Sequence, residues 1–243
     1  MPGNAPNRPA GPRGPADAGP IDAGPSGAGR AGAAEVDAAG GEPTALIVLA
    51  GGGAVRLGGV SKPDVRVHGR RLLDIVLEAG ARCAPRVVVA PEAVAVPDGV
   101  LRTLEDPPHG GPVAGIAAGL AALRGRASTR EVPDVLVLAC DLPGAAELAA
   151  PLLAARGAPR LRERTGGAPD GVIAARPDGR REMLAILVAR TALEEELRRG
   201  GDRDRSVRSV LAGLDLAEVP VPARATEDVD TWEQHARWEH GGP

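Results

Sequence analysis

The chain has 243 residues and a net charge of −3, enough for one ordinary α/β domain with a tail, and without a global basic field to attract nucleic acid or an anionic membrane. It has no Phe or Tyr and two Trp, so stacking platforms for single-stranded nucleic acid are nearly absent and the core must be built from Val, Leu, Ile and Ala. Its two cysteines, Cys83 and Cys140, lie far apart without CxxC spacing, which argues against a disulfide framework or a zinc site and fits a reducing cytoplasm.

In chain order, the first forty residues hold 11 Ala, 9 Gly and 7 Pro, and only Met1, Ile21 and Val36 are larger apolar residues. Such a segment cannot bury enough surface to offset its ordering entropy, so residues 1–42 are expected to be a disordered tail and 43–243 the folded domain. The tail lacks an apolar stretch behind a basic start and does not read as a signal peptide. Residues 45–50 (ALIVLA) form a short apolar run ending in glycines, the pattern of a strand buried on both faces. Helical spacing follows over 71–82, then buried strands over 86–90 and 100–104. Residues 113–123 read as a small-residue helix whose Gly115 and Gly119 suit close packing on a sheet. Strand 134–139 (DVLVLA) leads into Asp141 and a helix over 145–156. Strands over 171–175 and 183–188, helices over 191–199 and 205–212, and a strand over 217–221 come next. A last helix over 230–238 is capped by Asp230 or Thr231. Buried strands alternating with helices predict a three-layer, Rossmann-like α/β fold with a mostly parallel central sheet, whose ligands bind beyond the carboxyl ends of the strands.

Two segments rich in chemistry follow directly after buried strands. The first runs LAGGGAVRLGGVSK from Leu49 to Lys62. Gly51, Gly52 and Gly53 let the backbone approach a ligand and point successive N–H groups at anionic oxygens. Arg56 and Lys62 add two positive charges of different geometry. Lys62 is the only lysine beside 28 arginines, which suggests that a compact ammonium is needed there. The loop is not a Walker A loop, because Gly58 is followed by Gly59 and Val60. It is not a dinucleotide fingerprint either, because the third glycine position is Arg56. The second segment is Cys140-Asp141-Leu142-Pro143. A carboxylate at that strand end can hold Mg²⁺, a hard cation that prefers oxygen, and the bland alternative is a helix cap. Asp106 suits guanine N–H donors or, equally, a turn before Pro107-Pro108.

The loop resembles that of the nucleotidyltransferases typified by molybdenum cofactor guanylyltransferase, with their LAGG, Arg, Gly and Lys pattern. Later segments keep the family's order: Glu105-Asp106, Gly111-Pro112-Val113-Ala114-Gly115, Cys140-Asp141-Leu142-Pro143, and Asp228-Val229-Asp230-Thr231 for its closing Asn-x-Asn-Thr. The resemblance covers about residues 44 to 240. It implies GMP transfer from GTP to the molybdenum–molybdopterin cofactor with release of pyrophosphate and Mg²⁺ as cofactor. It further implies nucleotide contacts from Leu49, Ala50, Gly51, Gly52, Gly53, Lys62, Asp106 and Asp141, and catalysis by Arg56, Lys62 and Asp141. Asp228 and Asp230 depart from the family's asparagines and stand as acceptor contacts or further metal ligands. The related cytidylyltransferases end Asp-x-Asp-Thr, so CTP stays open as the donor. Ala90 stands where the family often has an asparagine. Sibling transferases acting on phospholactate or a sugar phosphate, and a non-catalytic nucleotide-binding module, are the alternatives.

Overall fold

The computed structural model describes residues 43–51, 59–125, 132–156 and 168–241. The tail and Gly52, Gly53 and Arg56 of the glycine-rich loop lie outside them.

Seven strands form the central sheet: β1 (Thr44–Leu49), β4 (Arg86–Val89), β5 (Leu101–Thr103), β6 (Asp134–Ala139), β7 (Gly171–Ala175), β8 (Arg181–Ala189) and β9 (Leu216–Pro220). Their order is β5-β4-β1-β6-β8-β7-β9. β1 runs parallel to both β4 and β6, with Leu49 paired to Val89 on one side and Ala139 on the other. β8 is the antiparallel member, pairing with β6 and β7. The sequence predicts a mostly parallel sheet, and that is what forms.

Alternation along β1 assigns its side chains to two layers. Leu46 and Val48 face α1 (Leu72–Ala79) and α3 (Ala145–Arg156), meeting Leu73, Val76, Leu148 and Leu152. Ala45, Ile47 and Leu49 face the other layer, built from α2 (Gly111–Arg124), α4 (Arg190–Gly200) and α5 (Val207–Leu211). α2 lies close on the sheet because its contact residues are glycines: a Cβ on Gly119 would sit 2.7 Å from Ile47 Cγ2, and one on Gly115 3.2 Å from Leu49 Cδ2.

Two features position the site. A small hairpin of β2 (Arg66–Val67) and β3 (Arg70–Arg71) follows a 3₁₀ turn at Lys62–Asp64. A satellite cluster of Val65, Val67, Leu72, Val229 and Trp238 then clamps this segment to the C-terminal helix α6 (Trp232–His240). The His68 N–H donates to Glu239 (2.6 Å), and a His235 ring nitrogen meets the Arg66 carbonyl (2.7 Å). Among the described residues no helix is long and apolar enough to cross a membrane.

Candidate functional site

The carboxyl edge of β1 and β6 gathers most of the residues that sequence reasoning singles out. Leu49 and Ala50 are buried at the end of β1, and the Ala50 N–H is bonded to the Val89 carbonyl (2.9 Å). Gly51 is exposed just beyond, so the glycine-rich loop leaves the sheet at this edge. The Cys140 N–H donates to the Leu49 carbonyl (3.0 Å), extending the parallel pairing to the residue before Asp141. Asp141 therefore stands at the strand end. It is no helix cap, since α3 starts at Ala145 with its N–H on the Leu142 carbonyl.

The C-terminal strap comes alongside through one backbone bond, Val229 N–H to the Asp141 carbonyl (3.0 Å). Val229 is fully buried, so the alternation of extended chain turns its neighbours Asp228 and Asp230 the other way. One carboxylate oxygen from each of Asp141, Asp228 and Asp230 lies within 4.8 Å of the other two. Lys62, fixed by its 3₁₀ turn and by Pro63 beneath it, donates to Asp141 Oδ2 (3.1 Å) and to Asp230 Oδ1. Three carboxylates thus share one nearby ammonium.

The electrostatics follow from that imbalance. Burial pulls the Lys62 ammonium down. The hydrogen bond to Asp230 and the charge of Asp141 more than reverse this, and Lys62 holds its proton above the usual lysine value. Asp228 is pushed up from the ordinary aspartate value, first by burial and then by the charges of Asp230 and Asp141. Cys140 is buried and free; burial, with the neighbouring Asp141 charge, pushes its thiol far up and removes it as a nucleophile. The donor set is all oxygen, largely buried but still open to solvent, and short of positive charge, which fits a hard divalent cation.

Asp106 is not part of this cluster. It is exposed on the loop after β5, three strand positions from β6, and its carbonyl accepts a bond from Arg203. It borders a groove floored by Ala114, Ala117 and Ala118 of α2. Ala90, paired through its N–H to the Thr103 carbonyl (2.9 Å), offers only backbone at that edge.

Two contributors went unforeseen. The Gln234 carboxamide accepts from the N–H groups of Asp230 and Thr231 (both 2.8 Å) and donates to Asp228 Oδ1 (2.9 Å), so it orients one carboxylate of the cluster. Its signal was present: Thr231-x-x-Gln234 is a capping box, and Thr231 caps α6 in that way. Glu182 had no comparable signal. It sits where the β7–β8 register shifts, from Ile173 opposite Ile186 to Ala175 opposite Arg181, and such bulges re-aim side chains. Its carboxyl is pushed up first by burial, and the charges of Asp141 and Asp228 add to the effect.

A mostly parallel sheet that presents a glycine-rich loop, a lysine and clustered carboxylates at its carboxyl edge is the construction of a nucleotide-handling α/β transferase. Residues 46–219 match the MobA-like NTP transferase domain, and the chain belongs to that family; it is a nucleotidyltransferase. No curated protein sequence matches it significantly. Molybdopterin-guanine dinucleotide biosynthesis protein A from Archaeoglobus fulgidus is 22% identical with a TM-score of 0.51, over 80% of this chain and 96% of that one. Rv0371c from Mycobacterium tuberculosis H37Rv, in complex with manganese, is 17% identical with a TM-score of 0.56, over 83% and 100%. The 4-diphosphocytidyl-2C-methyl-D-erythritol synthase of Anaerococcus prevotii is 11% identical with a TM-score of 0.56, over 82% and 97%. At these identities the likeness is one of fold.

Proposed function

We propose that the protein transfers GMP from GTP to the molybdenum–molybdopterin cofactor, in the cytoplasm, with release of pyrophosphate. The observation that carries the reading is the Lys62 ammonium held among Asp141, Asp228 and Asp230, at the sheet edge where the glycine-rich loop departs. A terminal phosphate oxygen of the acceptor attacks the α-phosphorus in line, and the bond to the pyrophosphate leaving group breaks. In this reading the backbone N–H groups of Gly51, Gly52 and Gly53 cradle the triphosphate, and Leu49 and Ala50 are further nucleotide contacts. Arg56 and Lys62 stabilise charge on the phosphates, and Asp106 accepts hydrogen bonds from the base. Positioning and electrostatics carry such a transfer, and no side-chain nucleophile is required.

Asp141, with Asp228 and Asp230, would hold Mg²⁺; bound there, the ion supplies charge neutralisation on the phosphate oxygens. The manganese complex of Rv0371c supports a divalent ion in a protein of this fold. Residues 43–243 constitute the transferase and residues 1–42 an appended tail. One observation favours a second reading, CTP as donor: two carboxylates, Asp228 and Asp230, take part in the cluster. The test is pyrophosphate release with each NTP and Mg²⁺, with and without molybdopterin. GTP-specific turnover that requires molybdopterin supports the reading, and CTP-specific turnover replaces it with the second. Lys62→Ala and Asp141→Ala should each abolish turnover while the fold survives; full activity in either sinks the assignment.

A further inference from the structure

A cavity of about 590 Å³ opens between the β7–β8 hairpin and α5, and none of the residues placed in the transfer chemistry lines it. Its apolar floor includes Ile173, Met183 and Leu211, which sit at the border of the core layer under α2, α4 and α5. The cavity forms where the β7–β8 ladder slips. Ile173 lies opposite Ile186 but Ala175 opposite Arg181, so β8 has more residues to place than β7. Such a bulge bends the strand and re-aims its side chains. Arg181 and Met183 both line the cavity, and Glu182 between them does not. The charged side chains of the lining are Arg180, Arg181 and Arg208, all of one sign in a chain whose net charge is −3. Their compensation is thin. Arg181 pairs with Glu218 at 2.7 Å, but both side chains are more than two-fifths exposed, where such a pair contributes little. Arg180 has Asp178 only at 3.8 Å, and Arg176 competes for that carboxylate at 3.6 Å. Arg208 forms no ion pair among the described residues. Folding gains nothing from gathering like charges over an apolar floor, whereas an anion does.

We infer that this cavity is a second binding site, which takes a small molecule carrying an oxyanion, phosphate or carboxylate, on an apolar body. Its volume falls within the roughly 300–1,000 Å³ of small-molecule pockets, which pair apolar walls with a few placed polar groups. Guanidinium forks match phosphate and carboxylate oxygens two at a time, and their flat faces pack on conjugated groups. The floor takes the body, with the usual gain for removing apolar surface from water. An anion without a body leaves the floor wet, and a neutral body leaves the three arginines uncompensated. Protein interfaces draw on about 20–30 residues a side. This lining comes from one hairpin, the five-residue α5 and its neighbour Ala212, which is the footprint of a small molecule. The inference stands whichever nucleotide is the donor, because Lys62 and the carboxylate cluster take no part in the lining.

The test titrates the full chain by calorimetry, without nucleotide and in EDTA, so that no metal charges the carboxylate cluster. The probes are 1-naphthyl phosphate, 1-naphthoate, inorganic phosphate and the neutral 1-naphthylmethanol. The first two should bind one per chain, and the tighter of them identifies phosphate or carboxylate as the headgroup the site prefers. Inorganic phosphate and the alcohol should each bind about tenfold more weakly or less. Arg208→Ala should weaken both naphthyl anions about tenfold. Ala212→Trp fills the cavity from an exposed position without changing its charge and should do at least as much. Arg237→Ala removes an exposed arginine outside the lining and should leave binding unmoved, as should Lys62→Ala. A thermal melt of each variant separates lost binding from lost fold, and Arg208→Ala decides alone if Ala212→Trp does not fold. No binding of either naphthyl anion at millimolar concentration would overturn the inference. So would inorganic phosphate binding as tightly as 1-naphthyl phosphate, binding unchanged in the folded cavity variants, or binding lost in Lys62→Ala. If no NTP supports turnover, the transferase reading fails on its own, and this titration still decides whether the cavity binds an anion.

Discussion

Lys62→Ala separates the neutralisation of the carboxylates from the phosphate binding proposed for the lysine, before any substrate is added. The ammonium donates to Asp141 and Asp230, whose side chains are 21% and 30% exposed, and it stands beside a third carboxylate on Asp228. Its loss takes the local charge from −2 to −3 and removes two charge-assisted hydrogen bonds. Discounted for solvent screening at a site this open, the cost is about 1–3 kcal/mol. For a domain of this size that lowers Tm by about 3–10 °C.

Divalent-ion affinity should move the opposite way. A +1 charge about 5 Å from a +2 ion opposes it by ~2 kcal/mol even at the dielectric of water. Relieving that repulsion tightens Mn²⁺ binding about tenfold or more. Melting in EDTA should therefore show the variant below the parent, melting in excess Mn²⁺ should close the gap, and calorimetry should show a lower Kd, all while turnover is lost. A variant that melts with the parent in EDTA and binds Mn²⁺ no more tightly would refute the reasoning, leaving phosphate binding as the lysine's only work.

Three further outcomes follow from the same geometry. Gly119→Ala drives a Cβ into the fully buried Ile47 side chain at 2.7 and 2.9 Å and should cost about 1–3 kcal/mol in a thermal melt, whereas Gly125→Ala, with its nearest contact at 3.6 Å, should be close to neutral. Arg156 forks onto Asp134 through two 3.0 Å bonds, and Asp134 is 3% exposed. Arg156→Ala strands that carboxylate and should destabilise by ~3 kcal/mol, measured by urea unfolding. Because Asp228 is raised in the fold, the metal-free protein should gain stability as pH falls through the raised Asp228 value and lose that gain as pH rises back through it. Mn²⁺ binding should weaken over the same acidic window, since the ligand must be ionised; metal-free melts and Mn²⁺ titrations across that range check both signs.

The central strands β1, β4, β6 and β7 were legible because each is a short apolar run such as ALIVLA or DVLVLA, buried on both faces. Burial on both faces says nothing about direction, so β8 reads like its parallel neighbours although it runs against them. The β2–β3 hairpin was invisible for another reason. Its pairing strands are two residues each, arginine-rich, and turned by His68 at φ 48° and Gly69 at φ 74°, so neither apolar periodicity nor length marks them. Glu182 depends on a register shift, a property of two paired strands rather than of either sequence.

The carboxylate cluster lies between these cases. Lys62 could be assigned a positive charge at a phosphate cradle, but its partners are 79 and 168 residues away, and only the packing of Val65, Val67 and Leu72 against Val229 and Trp238 joins them. The strap itself was more legible than it first looks. In Asp228-Val229-Asp230 the central residue is fully buried and its N–H is tied to the Asp141 carbonyl, so period-two alternation alone sends both flanking side chains to the same side. Asparagines at those positions would occupy the same places. The backbone thus fixes where the two side chains stand, and the aspartates change the charge there rather than the geometry. A site built this way carries three carboxylates against one ammonium and needs further positive charge before an anionic acceptor can approach. That requirement links the cluster to a divalent ion, and Asp228 and Asp230 are the positions at which this chain differs from the asparagine pattern it resembles.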